Sequence, residues 1–313
     1  MESNGKKTAL VLSGGSIRGA FQAGAINRIL QSGIKPRAIY GISVGSLNGG
    51  FLADRAGKAA LDKREPNWPE IGDELGRFWL ENITSFEKIG KKRNKLRLLI
   101  SLIRSSFDGL IDTKNLRELV GRTLDEDHLR ACPITFKAGC VDIESGRLIT
   151  ADSQSYYPDL RKYIIASTAI PIVMPVSWIQ DRPFLDGGLR DVAPLKVAID
   201  GGAEEIFCLL CQEKTIKESR LNLGNLAEYA ERMMDIVINE TLNNDIERAE
   251  KINARLRAEC DRAVEEAAGH KYIPIKVIRP SASLNIELTD FNRADIERIY
   301  KLGQKEAAEK LKE

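Results

Sequence analysis

Ser43 lies at the centre of Gly41-Ile42-Ser43-Val44-Gly45, a G-x-S-x-G pattern. The segment follows a short apolar run and precedes a helical pattern, so it predicts a tight strand-to-helix turn that exposes the serine hydroxyl. Gly41 and Gly45 fit this turn because a side chain at either position would crowd it. A hydroxyl presented in this way becomes a nucleophile when a neighbouring base accepts its proton.

A second glycine-rich segment, Ser13-Gly14-Gly15-Ser16-Ile17-Arg18-Gly19, precedes the serine turn and also lies between an apolar run and a helical pattern. We expect the backbone N–H groups of Gly14, Gly15 and Ser16, together with that of Val44, to hold an oxyanion. The glycine spacing fits neither G-x-G-x-x-G nor G-x-x-x-x-G-K-[ST], which argues against a nucleotide phosphate loop. A non-catalytic nucleotide- or anion-binding module that uses the Gly14–Gly19 turn stays open as the non-enzymatic alternative.

The third element is Asp186, which ends an apolar run and is followed by Gly187 and Gly188. Alone, these residues are typical of a plain turn between a strand and a helix. A carboxylate of ordinary pKa, about 3.9, is a weak base. A Ser43–Asp186 dyad therefore requires a close hydrogen bond, and partial burial of Asp186 should raise its pKa and make it more basic.

In this order and spacing, the three motifs resemble the patatin-like phospholipase family. Its pattern is a glycine-rich turn with a basic residue, then G-x-S-x-G, then Asp-Gly-Gly or Asp-Gly-Ala. The resemblance covers residues 8–210 and includes Ser167-Thr168-Ala169-Ile170-Pro171. It implies an α/β fold, a three-layer α/β/α sandwich around a mainly parallel sheet, and hydrolysis of lipid carboxylic esters in the manner of a phospholipase A or lysophospholipase.

The resemblance also implies roles for residues. Ser43 would be the nucleophile and Asp186 its partner, with Gly14, Gly15 and Ser16 in the oxyanion hole; the supporting residues would be Arg18, Gly19, Gly41, Gly45, Gly187 and Gly188. Arg18 would fix the turn by hydrogen bonding or contact a lipid phosphate. The family usually has a third glycine where this chain has Ser16, which weakens the oxyanion role only if that position needs positive φ. The scheme requires no metal and no cofactor.

The chain contains two histidines, and either could in principle be the base for Ser43. His128 lies in an acidic segment that we expect to be solvated, and His270 lies where a helix is expected to end. The order Ser43, Asp186, His270 matches a conventional esterase triad. Such folds place several strands before the serine turn, whereas only one strand-like run precedes the Ser43 strand here. The triad is therefore the alternative to the dyad.

Composition limits the other function classes. The chain has 313 residues, 43% of them hydrophobic, and a formal net charge of +2, which gives no argument for nucleic acid binding. No apolar run reaches the length of about 18 residues that a bilayer span requires. No secretory signal precedes the first motif, and five scattered cysteines suit reduced thiols, so we expect a cytoplasmic protein that can contact membranes peripherally. Cys208 and Cys211 fit buried structural thiols rather than a metal site.

Apolar strand-like runs alternate with helical patterns, which favours one domain, residues 1–313, with a largely parallel sheet. Residues 57–130 break this rhythm and predict a helical insertion or lid. Residues 211–313 predict a mainly helical part that packs on the same domain, with two helices or a kink near Asn243-Asn244. The basic, apolar stretch from Lys88 to Arg104 suits a helix at an anionic lipid surface. Its alternative is a surface helix whose apolar stripe packs on the domain.

Overall fold

The computed structural model describes residues 6–104, 107–153, 160–216, 218, 226–260 and 272–312. The strands are β1 Thr8–Leu12, β2 Ala38–Ile42, β3 Lys91–Lys92, β4 Ile111–Asp112, β5 Thr135–Asp142, β6 Arg147–Asp152, β7 Ser177–Ile179, β8 Arg182–Asp186, β9 Glu205–Leu209 and β10 Ile275–Ile278. The helices are α1 Gly19–Gln31, α2 Val44–Leu61, α3 Trp68–Asn82, α4 Phe86–Ile89, α5 Lys95–Ile103, α6 Lys114–Thr123, α7 Glu126–Arg130, α8 Leu160–Ser167, α9 Leu195–Asp200, α10 Leu226–Cys260 and α11 Arg293–Lys310.

A parallel ladder, β10-β9-β1-β2-β5, forms the larger part of an eight-stranded sheet. Strand β1 is buried along its whole length, as expected when helices cover both faces of a parallel sheet. Alternate residues of β1 face opposite sides. Leu10 and Leu12 join a core with α1, α2, α3 and α11, whereas Ala9 and Val11 join a core with α9 and α10. The predicted three-layer α/β/α sandwich with a mainly parallel sheet is confirmed.

Strand β5 brings β2 and β8 end to end. Strand β6 pairs antiparallel with β5 from Lys137 to Asp142, so it occupies one complete edge of that stretch. The other edge must then hold both β2, whose Ile42 pairs with Gly139, and β8, whose Asp186 pairs with Cys140. Because β2 runs parallel to β5 and β8 runs antiparallel, their carboxyl ends face each other on this edge.

The stretch 57–130 contains the end of α2, the helices α3 to α7 and a small antiparallel pair of strands, β3 and β4. Four apolar side chains of α5 are exposed: Leu96, Leu99, Ile100 and Ile103. These four side chains therefore do not pack on the domain, as the alternative of an ordinary surface helix would require. None of the described helices combines the length and the apolar character that crossing a bilayer would take.

Two long helices, α10 and α11, dominate the described part of residues 211–313. Of the two arrangements expected near Asn243-Asn244, the division into two helices is wrong, because α10 runs without interruption through that point, and the kink stays a prediction. Helix α11 packs closely on α1 at two glycines. A Cβ atom added at Gly24 would lie 2.0 Å from the Tyr300 carbonyl oxygen, and one added at Gly303 would lie 1.9 Å from the Phe21 carbonyl oxygen.

Candidate active site

Ser43 occupies the turn between β2 and α2 with φ 55° and ψ −126°, a strained conformation for a residue with a side chain. The surrounding backbone enforces it. A Cβ atom added at Gly41 would lie 2.4 Å from the Gly45 carbonyl oxygen, and one added at Gly45 would lie 2.2 Å from the Leu12 carbonyl oxygen. Both glycines of the motif are therefore required by close backbone approach, as expected of a turn that projects its central side chain.

Ser167, at the end of α8, ties this turn to the sheet. Its Oγ accepts a hydrogen bond of 2.8 Å from the Ser43 N–H, donates to the Gly139 carbonyl oxygen and lies 2.8 Å from the Ser46 hydroxyl. Ser167 is fully buried. In the sequence this residue stands only as part of the Ser167–Pro171 motif, and no spacing rule links it to Ser43.

The glycine-rich turn lies against the serine turn. A Cβ atom added at Gly14 would lie 3.2 Å from Ser43 Cβ. The Gly14 N–H donates to the Val192 carbonyl oxygen at 3.1 Å, which differs from its expected role as an oxyanion donor. The N–H groups of Gly15, Ser16 and Val44 have no hydrogen-bond acceptor among the described residues. These three donors, rather than the Gly14 N–H, are free to bind an oxyanion.

Ser16 adopts φ 53°, in the left-handed region that favours glycine. The position that usually holds a third glycine in the family pattern thus does take positive φ here. Within the described part of the chain the Ser16 hydroxyl, which is buried, has no hydrogen-bond partner. The departure from the glycine pattern therefore carries local strain, while the backbone N–H keeps its place in the turn.

Asp186 reaches Ser43 from the facing end of β8. Its Oδ1 accepts a hydrogen bond of 2.8 Å from the Gly188 N–H, and the Ser43 side chain lies close enough to the carboxylate to influence its pKa. Burial raises the pKa of Asp186 to about 6, although the hydrogen bonds from Ser43 and Gly188 oppose the rise. A Cβ atom added at Gly187 would lie 2.4 Å from the Gly139 carbonyl oxygen, so this glycine allows β8 to end against β5.

Arg18 anchors the glycine-rich turn to α10. Its guanidinium makes two hydrogen bonds to the carboxylate of Asp235, at 2.9 and 2.6 Å. This bidentate geometry fixes both orientation and distance. Next to it, a Cβ atom added at Gly19 would lie 2.2 Å from Val44 Cγ2, so α1 begins in direct contact with α2.

An apolar cavity of about 50 Å³ opens beside Ser43. Ser16 and Ser43 line it together with apolar residues that include Leu47, Ile170 and Met174. A cavity of about 150 Å³ holds a molecule as large as benzene. The cavity as it stands is therefore too narrow for a long acyl chain.

The stretch 57–130 supplies one wall of this cavity through Trp79, Ile83, Ile89 and Leu116. Trp79 is held by a buried chain of hydrogen bonds that the sequence pattern does not predict. Its Nε1 donates to Asn48 Oδ1 at 2.8 Å, and Asn48 Nδ2 donates to a glutamine on α1. Buried polar side chains on otherwise apolar helix faces are the signal that could have revealed this network.

The other titratable candidates lie elsewhere. His128 contacts Asp54 at 3.4 Å, and Asp54 is about 16 Å along the axis of α2 from Ser43. His270 lies outside the described residues. Burial raises the pKa of both Cys208 and Cys211 to about 12, which fits inert structural thiols. Within the described residues, no three His, Cys, Asp or Glu side chains gather in a group that could hold a metal ion.

Comparison with known proteins gives one family. A family model described as patatin-like phospholipase matches residues 10–199. The crystal structure of VipD from Legionella pneumophila aligns with a TM-score of 0.44 and 13% sequence identity, over 98% of this chain and 67% of that chain. No curated protein matches the chain.

Proposed function

This chain belongs to the patatin-like phospholipase family, and from that membership we propose that Ser43 and Asp186 form a catalytic dyad that hydrolyses lipid carboxylic esters. Lipid acyl hydrolysis is the general activity of the family. The finer proposal is a reaction of the phospholipase A or lysophospholipase type. The observation that carries it is the approach of Ser43 and Asp186 at the point where the carboxyl ends of β2 and β8 face each other along β5.

In the first step, Asp186 accepts the hydroxyl proton of Ser43 while Oγ forms a bond to the ester carbonyl carbon. The carbonyl oxygen becomes an oxyanion, which the N–H groups of Gly15, Ser16 and Val44 bind. When the tetrahedral intermediate collapses, the bond to the alcohol oxygen breaks. The alcohol leaves with the proton that Asp186 had accepted, and Ser43 carries the acyl group.

In the second step, water attacks the acyl carbon of Ser43 while Asp186 accepts one proton from it. Collapse of the second intermediate breaks the bond to Oγ, Ser43 regains a proton from Asp186, and the carboxylic acid leaves. A carboxylate with a pKa of about 6 is a better base than an ordinary aspartate and is still ionised at neutral pH. The burial of Asp186 supports this role.

The acyl chain of the substrate enters the apolar cavity beside Ser43. Its small volume, about 50 Å³, requires that a wall move before a long chain fits. Residues 57–130 form the part that moves, because Ile83, Ile89 and Leu116 from this stretch contact the cavity. This assigns the insertion the role of a cover over the site, within a single domain.

Helix α5 in the same stretch supports a position of this cover at the lipid surface. Leu96, Leu99 and Ile103 are 64%, 55% and 75% exposed. Apolar side chains exposed beside the basic residues between Lys88 and Arg104 suit insertion into an anionic interface.

A fluorophosphonate probe tests the dyad directly, because it labels only an activated serine. We expect the wild-type protein and the control Ser32→Ala to be labelled, and Ser43→Ala and Asp186→Asn to remain unlabelled while folded. Mass spectrometry should place the label on Ser43. A folded wild-type protein that takes up no probe would contradict the hydrolase and favour the anion-binding module.

A further inference from the structure

A polar cleft of about 470 Å³ borders the glycine-rich turn, and no described residue lines both this cleft and the apolar cavity. Arg18 lines the cleft, whereas the preceding residues Ser16 and Ile17 line the cavity. Two neighbouring residues farther along the chain also face the two spaces separately, because Glu287 lines the cleft and Leu288 lines the cavity. An amphipathic molecule with its ester at the turn would therefore have an apolar space on one side and a polar space on the other.

The lining of the cleft is rich in hydrogen-bond acceptors. It contains the acidic residues Glu213, Glu228, Asp235, Glu287 and Asp290 and two arginines, Arg18 and Arg232. Acidic side chains therefore outnumber basic ones. The resulting negative potential favours a ligand that brings positive charge and disfavours one that is only anionic.

A buried amide adds an independent acceptor. Gln212 is only 4% exposed and lines the cleft, and its Oε1 has no hydrogen-bond partner in the described chain. Its Nε2 donates to Asp235 Oδ1 at 3.3 Å, which sets the orientation of the amide. A buried acceptor without a partner costs stability unless a ligand supplies an N–H or O–H donor. The acidic lining of the cleft and the Gln212 acceptor therefore both favour a positively charged ligand group that carries N–H or O–H donors.

The cleft is built on fixed elements. Arg279 donates to the carbonyl oxygens of Gln212 and Glu213 at 3.1 and 2.7 Å, and Asn239 on α10 donates to the Glu213 carbonyl oxygen at 2.8 Å. The Arg18–Asp235 pair joins the same helix to the glycine-rich turn. The volume lies in the range of pre-formed small-molecule sites, about 300–1,000 Å³.

We infer that this cleft is the head-group subsite of the proposed lipid hydrolase and that it selects a zwitterionic head group whose ammonium carries N–H donors, such as phosphoethanolamine. The ammonium binds Gln212 Oε1 and the carboxylates of Glu287 and Asp290, and the phosphate lies toward the arginines. A choline head group has the same charge and lacks N–H donors, so it binds less well. This inference rests on the proposed function, because the proposed function sets the position of the ester. The choice of head group rests on the residues of the cleft alone.

Two measurements test the inference. The first is binding: Ser43→Ala protein is titrated calorimetrically with glycerophosphoethanolamine, glycerophosphocholine and glycerophosphate. We expect binding of the first to be about 10-fold tighter than that of the second, a difference of the size of one charge-assisted hydrogen bond. The substitutions Glu287→Gln and Asp290→Asn together, or Gln212→Met, should abolish this difference. Glu297→Gln on α11, the matched control, should preserve it.

The second measurement is hydrolysis by the wild-type enzyme of phosphatidylethanolamine and phosphatidylcholine with identical acyl chains in mixed micelles. We expect a preference for the ethanolamine lipid that disappears in the Glu287→Gln, Asp290→Asn protein. Hydrolysis without head-group preference, joined to equal or absent binding of the two soluble esters, would overturn the subsite and leave the hydrolase intact. Selective binding without any hydrolysis would overturn the hydrolase and leave the subsite.

Discussion

The hydroxyl of Ser167 accepts a hydrogen bond of 2.8 Å from the backbone N–H of Ser43, although 124 positions separate the two residues. This contact uses the N–H of Ser43 itself, so the proposed oxyanion hole must take its donors from neighbouring residues. Ser167 also donates to the Gly139 carbonyl oxygen on β5, the strand along which β2 and β8 meet. One buried hydroxyl thus connects the strained turn to the sheet that aligns it.

Replacing Ser167 with alanine should leave the Ser43 N–H buried and without an acceptor. The cost in the free energy of unfolding should be about 1–3 kcal/mol. Because Ser167 positions the nucleophile, kcat should fall about 10-fold or more while KM changes little. Urea unfolding and ester kinetics measure both effects, with Ser32→Ala as the control. A normal kcat in a destabilised Ser167→Ala protein would limit Ser167 to a structural role.

The pH dependence of kcat/KM should report Asp186. Its carboxylate must be ionised to accept a proton, and burial raises its pKa to about 6. We therefore expect kcat/KM to rise with pH through about 6 and to level off above it. Burial raises the pKa of Asp191 to about 6 as well, so Asp191→Asn is the matched control and should retain the acid limb. Loss of the limb in that variant would assign the titration to Asp191.

The buried charge of Asp186 should also lower the free energy of unfolding at neutral and alkaline pH. Its pKa rises from 3.8 in the unfolded chain to about 6 in the folded protein, so the contribution of this one group to stability is largest below pH 3.8 and is lost as pH rises through 6. The penalty of burying the charge above that pH is roughly 3 kcal/mol. The inactive variant Asp186→Asn should therefore be more stable than wild type at pH 8, and its advantage should shrink toward pH 4. Unfolding in guanidinium measures the free energy of unfolding of both proteins at pH 8 and at pH 4. An equal difference between the two proteins at the two pH values would count against a buried charge on Asp186.

Acidic substitutions on α5 should reduce the hydrolysis of lipid in vesicles more than the hydrolysis of soluble esters. Burying an apolar side chain the size of Leu99 or Ile103 is worth about 1.5–3 kcal/mol, and 1.4 kcal/mol is about 10-fold in affinity. The double substitution Leu99→Glu, Ile103→Glu should reduce hydrolysis of lipid in anionic vesicles at least about 10-fold more than hydrolysis of a short-chain soluble ester. Leu61→Glu, at a residue that is 54% exposed on α2, is the control. Equal losses on both substrates would contradict membrane contact through α5.

The local geometry of the site follows from the sequence because its constraints are local. Gly41 and Gly45 are required by close approach around Ser43, and this is what the spacing of their motif predicts. The alternation of apolar runs likewise predicted the layers and the mainly parallel sheet. The identity of the family followed from the order of three such motifs.

The route by which Asp186 reaches Ser43 is not local, and the sequence does not indicate it. Strands β7 and β8 are joined through Gln180 and Asp181, with φ 50° and 60°. Positive φ at both central residues fits a hairpin turn for which Asn-Gly or Gly-Gly is the usual signal, and neither residue here is a glycine. The pairing of β8 with β5 then depends on register between distant segments. The acceptor on Gln212 and the contact of Ser167 with Ser43 are of the same non-local kind.

The crossing of α1 and α11 at Gly24 and Gly303 limits how the chain can be shortened. The stretch that matches the family model ends at residue 199, before β9, which pairs with β1, and before α11, which covers α1. A fragment cut there would expose one edge of β1 and one face of the helix that begins at the glycine-rich turn. The three sequence motifs thus depend on segments outside the residues that the family model matches, and a fragment that stops at residue 199 should be insoluble when expressed.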